Sequence, residues 1–473
     1  RESATQHSTN VTQCRVSCRQ PNLHNSIYHK IMNSIISLFQ TLGTLLLLSL
    51  ILPINLIIVL IFLIINFITL PFQKKIICEN PKNILLTGGK MTKSLQLARS
   101  FHRAGHKVFM VETHKYWLSG HQFSNAVTKF FTVPAPEKDA NGYFQGLLNI
   151  VKSENIDVVI PVSSPVASYY DSLVKPILSP HCEVFHFDAE MTKILDDKFS
   201  LCDQARNLGL TAPKAFLITS PEQILNFDFT KDHSRYLLKS IKYDSVTRLD
   251  MTKLPFEGME NYIKNLPISA ERHWVMQEFV TGQEYCTHST VRNGEIRLHC
   301  CSKSSPFQIN YEQIDNPEIF QWVQHFVKSL NLTGQISFDF IQTKDGKVYP
   351  IECNPRTHTA ITMFYNHPGL ADAYLKASEN QPHIEPLATS KPTYWLYHEL
   401  WRFTGIRSLA QLKSWLNKIT EGTDAIFQGD DPLPFLMVHH WQITLLLLQN
   451  LLKLKSWVKI DFNIGKLVEI GGD

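Results

Sequence analysis

The Asp345-Gly346 pair, flanked by the alternating apolar runs Ile336 to Gln342 and Lys347 to Cys353, constrains this chain more than any other feature. Asp-Gly between two such runs is the strongest short-range signal for a β-hairpin with a two-residue turn. Counting outward from that turn, Lys344 pairs with Lys347 and Asp339 falls opposite Glu352, at a non-hydrogen-bonded position where Cα atoms approach to about 4.5 Å. Pro350 falls at another such position, where its missing N–H costs no ladder bond. Asn354, two residues beyond Glu352, returns to the same face. Facing carboxylates repel, so a hard cation held by Asp339, Glu352 and Asn354 is expected, as Mg2+ is held by carboxylates and phosphate. That implies a nucleotide. Lys303, Arg356 or another cation could pair with the acids instead, and an exposed hairpin with solvated acids is the plain alternative.

No charged residue occurs between Ile31 and Gln73, and the run is apolar enough to enter a bilayer. Pro53 and Asn55 interrupt it near the middle, with Lys30 before it and Lys74-Lys75 after it, a pattern that favours both ends inside. A helical hairpin dipping into the membrane, or a tilted span, is expected over 32–75, holding the protein on the cytoplasmic face. A cleaved signal peptide and a buried pair of core helices are the alternatives. Trp441 to Val458, with Lys453, Lys455 and Trp457, reads as an amphipathic helix lying in the membrane interface or packed on the domain. Residues 1–31 are polar and aperiodic, either disordered or upstream of a start at Met32.

The 473 residues, 44% of them apolar, are enough for several lobes with cores of their own. A net charge of +4 without a run of five basic residues is too mild to indicate nucleic acid as a partner. Nine scattered cysteines form neither a disulfide framework nor zinc spacing, which fits a reducing compartment. Strands at Ile84 to Leu86, Val108 to Val111, Val158 to Val162 and Val184 to Phe187, with a helix from Met91 to Ala104, make a βαβ opening and an α/β lobe.

The Gly88-Gly89-Lys90 turn matches neither the phosphate-loop nor the dinucleotide pattern, which excludes a dehydrogenase. Its N–H groups would hold an anionic part of a substrate, or the glycines serve only a tight turn. In Tyr236-Leu237-Leu238-Lys239 a lysine stands in an apolar strand, where it meets an anion or snorkels from an edge. Trp274 to Val280 and Glu284 to Thr290 read as a second hairpin turned at Thr281-Gly282. There Glu278, Phe279, Val280 and Glu284 offer the backbone groups, apolar slot and ribose-directed carboxylate that an adenine nucleoside needs.

The order Lys198, Lys239, Gln277-Glu278-Phe279-Val280-Thr281-Gly282-Gln283-Glu284, Asp339, Glu352-Cys353-Asn354-Pro355-Arg356 resembles the ATP-grasp superfamily. The resemblance implies that Lys198 and Lys239 bind phosphates of ATP, that Gln277 to Val280 flank the adenine, and that Glu284 takes the ribose. Asp339, Glu352 and Asn354 would hold Mg2+ or Mn2+, and Arg356 would meet the transferring phosphoryl group or the acceptor. The glycine-rich flap common after the second lysine is missing from Lys242 to Arg248, where Ser245, Thr247 or Arg248 could substitute. Longer runs, among them GGKMTKSLQLARSFHRAGH, SSPVASYYDSL and IECNPRTHTAITMFYNHPG, resemble the mycosporine-glycine synthases of cyanobacteria. Those ATP-grasp ligases join glycine to 4-deoxygadusol with release of ADP and phosphate.

The expected architecture is mixed α/β, an ATP-grasp fold with a Rossmann-like first lobe, preceded by the apolar helical segment. The expected divisions are 81–188 for the Rossmann-like lobe, 189–275 for a small lobe acting as a lid, 276–376 for the nucleotide and metal lobe, and 377–473 for a C-terminal helical region. Substrate contacts are expected from Gly88, Gly89, His114, Lys115, Ser163, Ser164 and Thr359. His358 is placed either as the base that deprotonates glycine or as a structural imidazole satisfied by backbone. Competing functions are a ligase of an ordinary carboxylate with an amino acid, and a membrane-tethered nucleotide binder without activity. The sequence leaves the oligomeric state open, with a dimer among the options.

Overall fold

The structure, a computed structural model, describes residues 22–72, 78–163, 165–231, 234–241, 250–304, 310–377 and 382–469. Helix α1, Asn22–Thr69, runs without a break through Pro53. The hairpin expected over 32–75 therefore does not form. In a run this apolar, a turn would strip several backbone groups of their partners, whereas one internal proline costs about a single bond and a clash. Asn55 is an inward-facing anchor and not a turn residue, its Nδ2 donating to the Tyr397 hydroxyl at 2.6 Å.

The first lobe is a parallel sheet in the order β3-β2-β1-β4-β5, formed by β1 (Asn83–Leu86), β2 (Lys107–Thr113), β3 (Lys129–Val133), β4 (Val158–Ile160) and β5 (Glu183–Val184). Helices α2 (Thr92–Arg103), α3 (Ala140–Ser153) and α4 (Pro165–Leu178) connect the strands. Ile84, Leu85 and Leu86 are all fully buried, as expected of a strand covered on both faces. β3 was not anticipated from the sequence.

After α5 (Ala189–Asp196) and α6 (Lys198–Asn207) comes a small lobe built on β6 (Ala215–Ile218), α7 (Pro221–Leu225), β7 (Tyr236–Ser240), β8 (Lys253–Leu254), α8 (Met259–Lys264) and β9 (Trp274–Glu278). Its sheet runs β6-β9-β7-β8 over a core of its own that includes Leu238, Ile263 and Trp274. The third lobe is the sheet β11-β10-β13-β14, from β10 (Gln283–Arg292), β11 (Glu295–Lys303), β13 (Gly334–Gln342) and β14 (Val348–Asn354), with β12 (Asn310–Tyr311) and α9 (Pro317–Ser329) between them. Because β9 and β10 belong to different sheets, the hairpin expected at Thr281-Gly282 is a crossover. The Phe279 N–H donates to the Arg235 carbonyl, and a Cβ on Gly282 would lie 2.1 Å from the Gln342 carbonyl oxygen, so the connection is pinned to both lobes at once.

The β13–β14 hairpin departs from the two-residue turn in an instructive way. Thr343 and Lys347 close the ladder and Gly346 takes φ +84°, which makes a three-residue loop. Near the loop Phe340 therefore faces Pro350, one residue out of the expected register. A bulge at Ile351 restores it, and Asp339 stands opposite Glu352 and Ser337 opposite Asn354.

Beyond α10 (Leu370–Leu375), the C-terminal region is not purely helical: β15 (Thr393–Tyr394) and β16 (Thr423–Asp424) join β12 in a small sheet, and β17 (Trp457–Asp461) pairs with β18 (Lys466–Glu469). Its helices are α11 (Leu396–Phe403), α12 (Leu409–Glu421), α13 (Leu433–Met437) and α14 (Ile443–Leu452). The helix expected over Trp441 to Val458 stops at Leu452 because Leu454 turns left-handed at φ +49°, and Trp457 opens a strand.

Candidate active site

Asp339 and Glu352 face each other at the centre of the third lobe's sheet, and Lys198, in the first turn of α6, reaches Glu352 at 3.2 Å. The Asp339 carboxyl is pushed well above the ordinary carboxylate range by burial, then by the charges of Glu352 and Glu284. Lys239 projects from β7 toward the same region. Burial, then the charge of Lys198, lowers its pKa, and its Nζ donates to the Asp250 carbonyl at 2.8 Å. Lys198 forms an ion pair with these acids, and the charge of Arg356 also acts on Asp339. Glu284 joins their face, since its strand neighbour Cys286 pairs with Asp339, and its carboxylate accepts from the Ser304 hydroxyl at 2.9 Å.

Among the described residues no group of three or more His, Cys, Asp or Glu side chains lies at metal-binding distance. The donor set that is present, two carboxylates opposed across β13 and β14 and the amide of Asn354 two residues along β14, has the chemistry that suits Mg2+ or Mn2+. Asn354 Oδ1 accepts from Arg356, whose Nη1 lies 3.5 Å from Asp196 and is buried without a hydrogen-bond acceptor.

At the crossover the Glu278 carboxylate accepts from the Lys214 N–H at 3.0 Å and the Ser234 hydroxyl at 3.3 Å, so its side chain braces the lobe junction. The Val280 N–H has no acceptor among the described residues. Gln277 is buried, and its amide donates to the Ile351 carbonyl at 3.4 Å, supporting the bulge.

Apart from Ser164, the expected substrate residues lie in the first lobe and in the turn after β14. Three N–H groups of the turn that opens at Gly88 are spent internally, Gly89 on the Val111 carbonyl and Met91 on the Gly88 carbonyl, with Lys90 on the Glu112 carboxylate at 3.3 Å. These three donors are thereby occupied within the lobe. Gly88 has φ +68° and lies where a Cβ would press on Val162 and Ser163. His114 is tied to the Thr132 hydroxyl at 2.9 Å on the surface, and Thr359 accepts from the Asn463 amide at 3.1 Å. Ser164 and the segment 242–249, with Ser245, Thr247 and Arg248, lie outside the described residues. Lys115 and Ser163 do line a cavity of about 140 Å3, with Thr87, Lys90, Glu112 and Tyr143. Tyr143 there donates to Asp171 at 2.5 Å, and burial pushes the Asp171 carboxyl up to about 6.

His358 caps the turn after β14, its Nδ1 accepting from the Ala360 N–H at 3.2 Å. Burial, followed by the charges of Lys93 and Arg356, drops its pKa to about 3. The cap is the contact expected of the structural alternative, an imidazole satisfied by backbone.

Sequence reasoning missed Lys93. This residue of α2 is buried, donates to the Thr357 carbonyl at 2.6 Å and makes no ion pair with a described carboxylate. Burial and then the neighbouring Arg356 and Lys90 hold its pKa well below the usual ammonium range. His288, with its Nε2 buried and unpartnered, feels both Lys93 and His358. A lysine in the first turn of a helix reads as a solvated side chain, and only the packing of the first lobe on the segment after Asn354 reveals otherwise.

No protein-family model matches the chain. In sequence it is similar to the tyramine–L-glutamate ligase of Methanocaldococcus jannaschii, 25% identical over 260 residues, covering 52% of this chain and 70% of the relative. In structure it is similar to an N5-carboxyaminoimidazole ribonucleotide synthetase solved with ADP, at a TM-score of 0.50 and 16% identity over 68% of this chain and 82% of the other. An L-amino acid ligase from Bacillus licheniformis superposes at a TM-score of 0.45 and 14% identity, over 62% of this chain and 70% of that one. Two antiparallel sheets meeting at the Thr281-Gly282 crossover and the likeness to the ADP-bound synthetase agree: the chain has the mixed α/β fold of the ATP-grasp ligases.

Proposed function

We propose that this ligase joins glycine to 4-deoxygadusol, giving mycosporine-glycine, ADP and phosphate. The carrying observation is the buried cationic junction of Lys93 and Arg356 beside Asn354, which has donors in excess of carboxylates and suits a small acid. The resemblance of long sequence runs to mycosporine-glycine synthases supports that particular acid. 4-Deoxygadusol is a vinylogous acid: its enol oxygen attacks the γ-phosphorus of ATP, ADP leaves, and the carbon bearing the new phosphate is open to the glycine nitrogen, which displaces phosphate and loses a proton.

The protein's part is position and charge. Lys198 and Lys239 neutralise phosphate oxygens, the crossover at Phe279–Val280 receives the adenine, and Glu284 faces the ribose. Arg356 and Lys93 orient the acid and stabilise charge on its oxygens. Asp339, Glu352 and Asn354 would hold the divalent ion, which when bound offsets charge on the transferring phosphoryl group. The small lobe closes over the nucleotide about the crossover and keeps water from the phosphorylated intermediate. The exposed apolar face of α1 supports attachment to the cytoplasmic side of a membrane.

A second reading replaces 4-deoxygadusol with an ordinary carboxylate, favoured by the named activity of the archaeal relative. Incubation with ATP, Mg2+, single amino acids and either 4-deoxygadusol or a carboxylate panel separates the two. Glycine-dependent ADP release with 4-deoxygadusol is expected, and release only with carboxylates would transfer the assignment to the second.

A further inference from the structure

We infer that α1 lies flat in one leaflet of a lipid bilayer, as an in-plane anchor with the catalytic body seated along it, and does not cross the membrane. This rests on the membrane attachment proposed above and adds its topology. The two long faces of the helix differ sharply. On one, Ser37, Thr41, Leu48, Asn55 and Val59 are buried, a stripe at heptad-like spacing. On the other, Phe39, Leu46, Leu50, Ile57, Ile64 and Phe67 are at least half exposed.

The helix is docked on the catalytic body from Thr41 to Asn66. Toward the N-terminal side Thr41 Oγ1 accepts from Trp457 Nε1 at 2.8 Å. In the middle Leu48 enters the same core as Leu95 and Tyr116 of the first lobe, and Asn55 bonds to Tyr397 and, at 2.7 Å, to His440. Toward the C-terminal side Asn66 Nδ2 donates to the Gly429 carbonyl at 2.8 Å, with Phe62 packed edge-on against Phe427. Thr41 to Asn66 spans about 38 Å of helix, more than the roughly 30 Å of bilayer hydrocarbon. Standing upright, the helix would therefore carry the body it is docked to, with the first lobe's core, through the whole hydrocarbon layer. Lying flat, it buries only the apolar face and leaves the body in water.

The occupant of that face is lipid. A protein groove would have to cover a continuous apolar stripe without one charged residue between Ile31 and Gln73, whereas Lys30, Lys74 and Lys75 flank the run as headgroup contacts do. The turn after α14 repeats the pattern beside the Trp457 contact, with Leu452 and Leu454 more than four-fifths exposed and Lys453 and Lys455 exposed between and after them.

The test uses the full chain bound to sealed vesicles of phosphatidylcholine with phosphatidylglycerol, treated from outside with a membrane-impermeant maleimide and mapped by mass spectrometry. Cys18 precedes the helix and Cys78 follows it. Both should be labelled from outside to the extent seen in detergent. Protection of one of them until the vesicles are opened would show that the helix crosses, overturning the in-plane topology while leaving attachment intact. Failure of the chain to float with the vesicles would remove the attachment itself, and the topology with it.

Discussion

Lys198 reaches Glu352 across 3.2 Å and so ties the start of α6 to the carboxylate pair on β13 and β14. On the function proposed above, the lysine stands in for positive charge that a divalent ion would supply beside bound nucleotide. Lys198→Met should weaken ATP binding about tenfold or more, as expected for the loss of one phosphate-directed cation. Titration of a fluorescent ATP analogue measures this, and unchanged affinity would place Lys198 outside the phosphate site.

Glu352→Gln should lower ADP release by about 10²- to 10³-fold, the loss usual for one electrostatic contributor to a developing charge, with little change in adenine binding. Steady-state assays with a coupled ADP readout check the first part and calorimetry the second.

Asp339→Asn should make the unliganded protein more stable while abolishing turnover. The Asp339 carboxyl is raised by burial and by Glu352 and Glu284, so at neutral pH its ionised form disfavours folding, and the stability contribution falls as pH rises from the unfolded value toward the raised folded one. Denaturant unfolding without metal should show a higher midpoint for the variant, and a lower one would contradict the repulsion.

Acid should destabilise the fold between about pH 6.5 and 3. Burial lowers the pKa of His121 and His439 from 6.5 to about 3, with each Nδ1 bonded to a backbone carbonyl, that of Gly89 or Phe435. In this window the unfolded chain binds protons that the folded chain refuses, so stability is lost as pH falls, by up to about 1.4 kcal/mol per pH unit for each imidazole. Unfolding midpoints followed across pH test the slope, and His121→Gln should flatten it.

Arg99→Met should cost about 3 to 5 kcal/mol. Arg99 is buried and bonds Asp431 at 2.7 Å and the Ile426 carbonyl at 2.9 Å, joining α2 to the C-terminal region, and its loss leaves a buried carboxylate without its cation. Equilibrium unfolding reads the change directly.

The carboxylate pairing was legible in the sequence for a reason that has limits. Strand alternation and an Asp-Gly turn place Asp339 against Glu352, yet the turn holds one residue more than expected and the Ile351 bulge cancels the slip. No local signal distinguishes such a bulge from regular strand. The Thr281-Gly282 segment shows the converse: its turn residues are real, but whether the flanking strands pair or part into two sheets is decided by distant partners, Arg235 and Gln342. Asn55 looked like a helix breaker because its hydrogen-bond partners, Tyr397 and His440, lie more than three hundred residues away. Lys93 was invisible for the same reason, its burial being the work of a loop from another lobe.

The most direct measurement is the anomalous scattering of crystals grown with Mn2+ and a non-hydrolysable ATP analogue. A manganese peak within bonding distance of both Asp339 and Glu352, with the adenine against Val280, is the predicted result. Nucleotide bound with its metal away from both carboxylates would contradict the account.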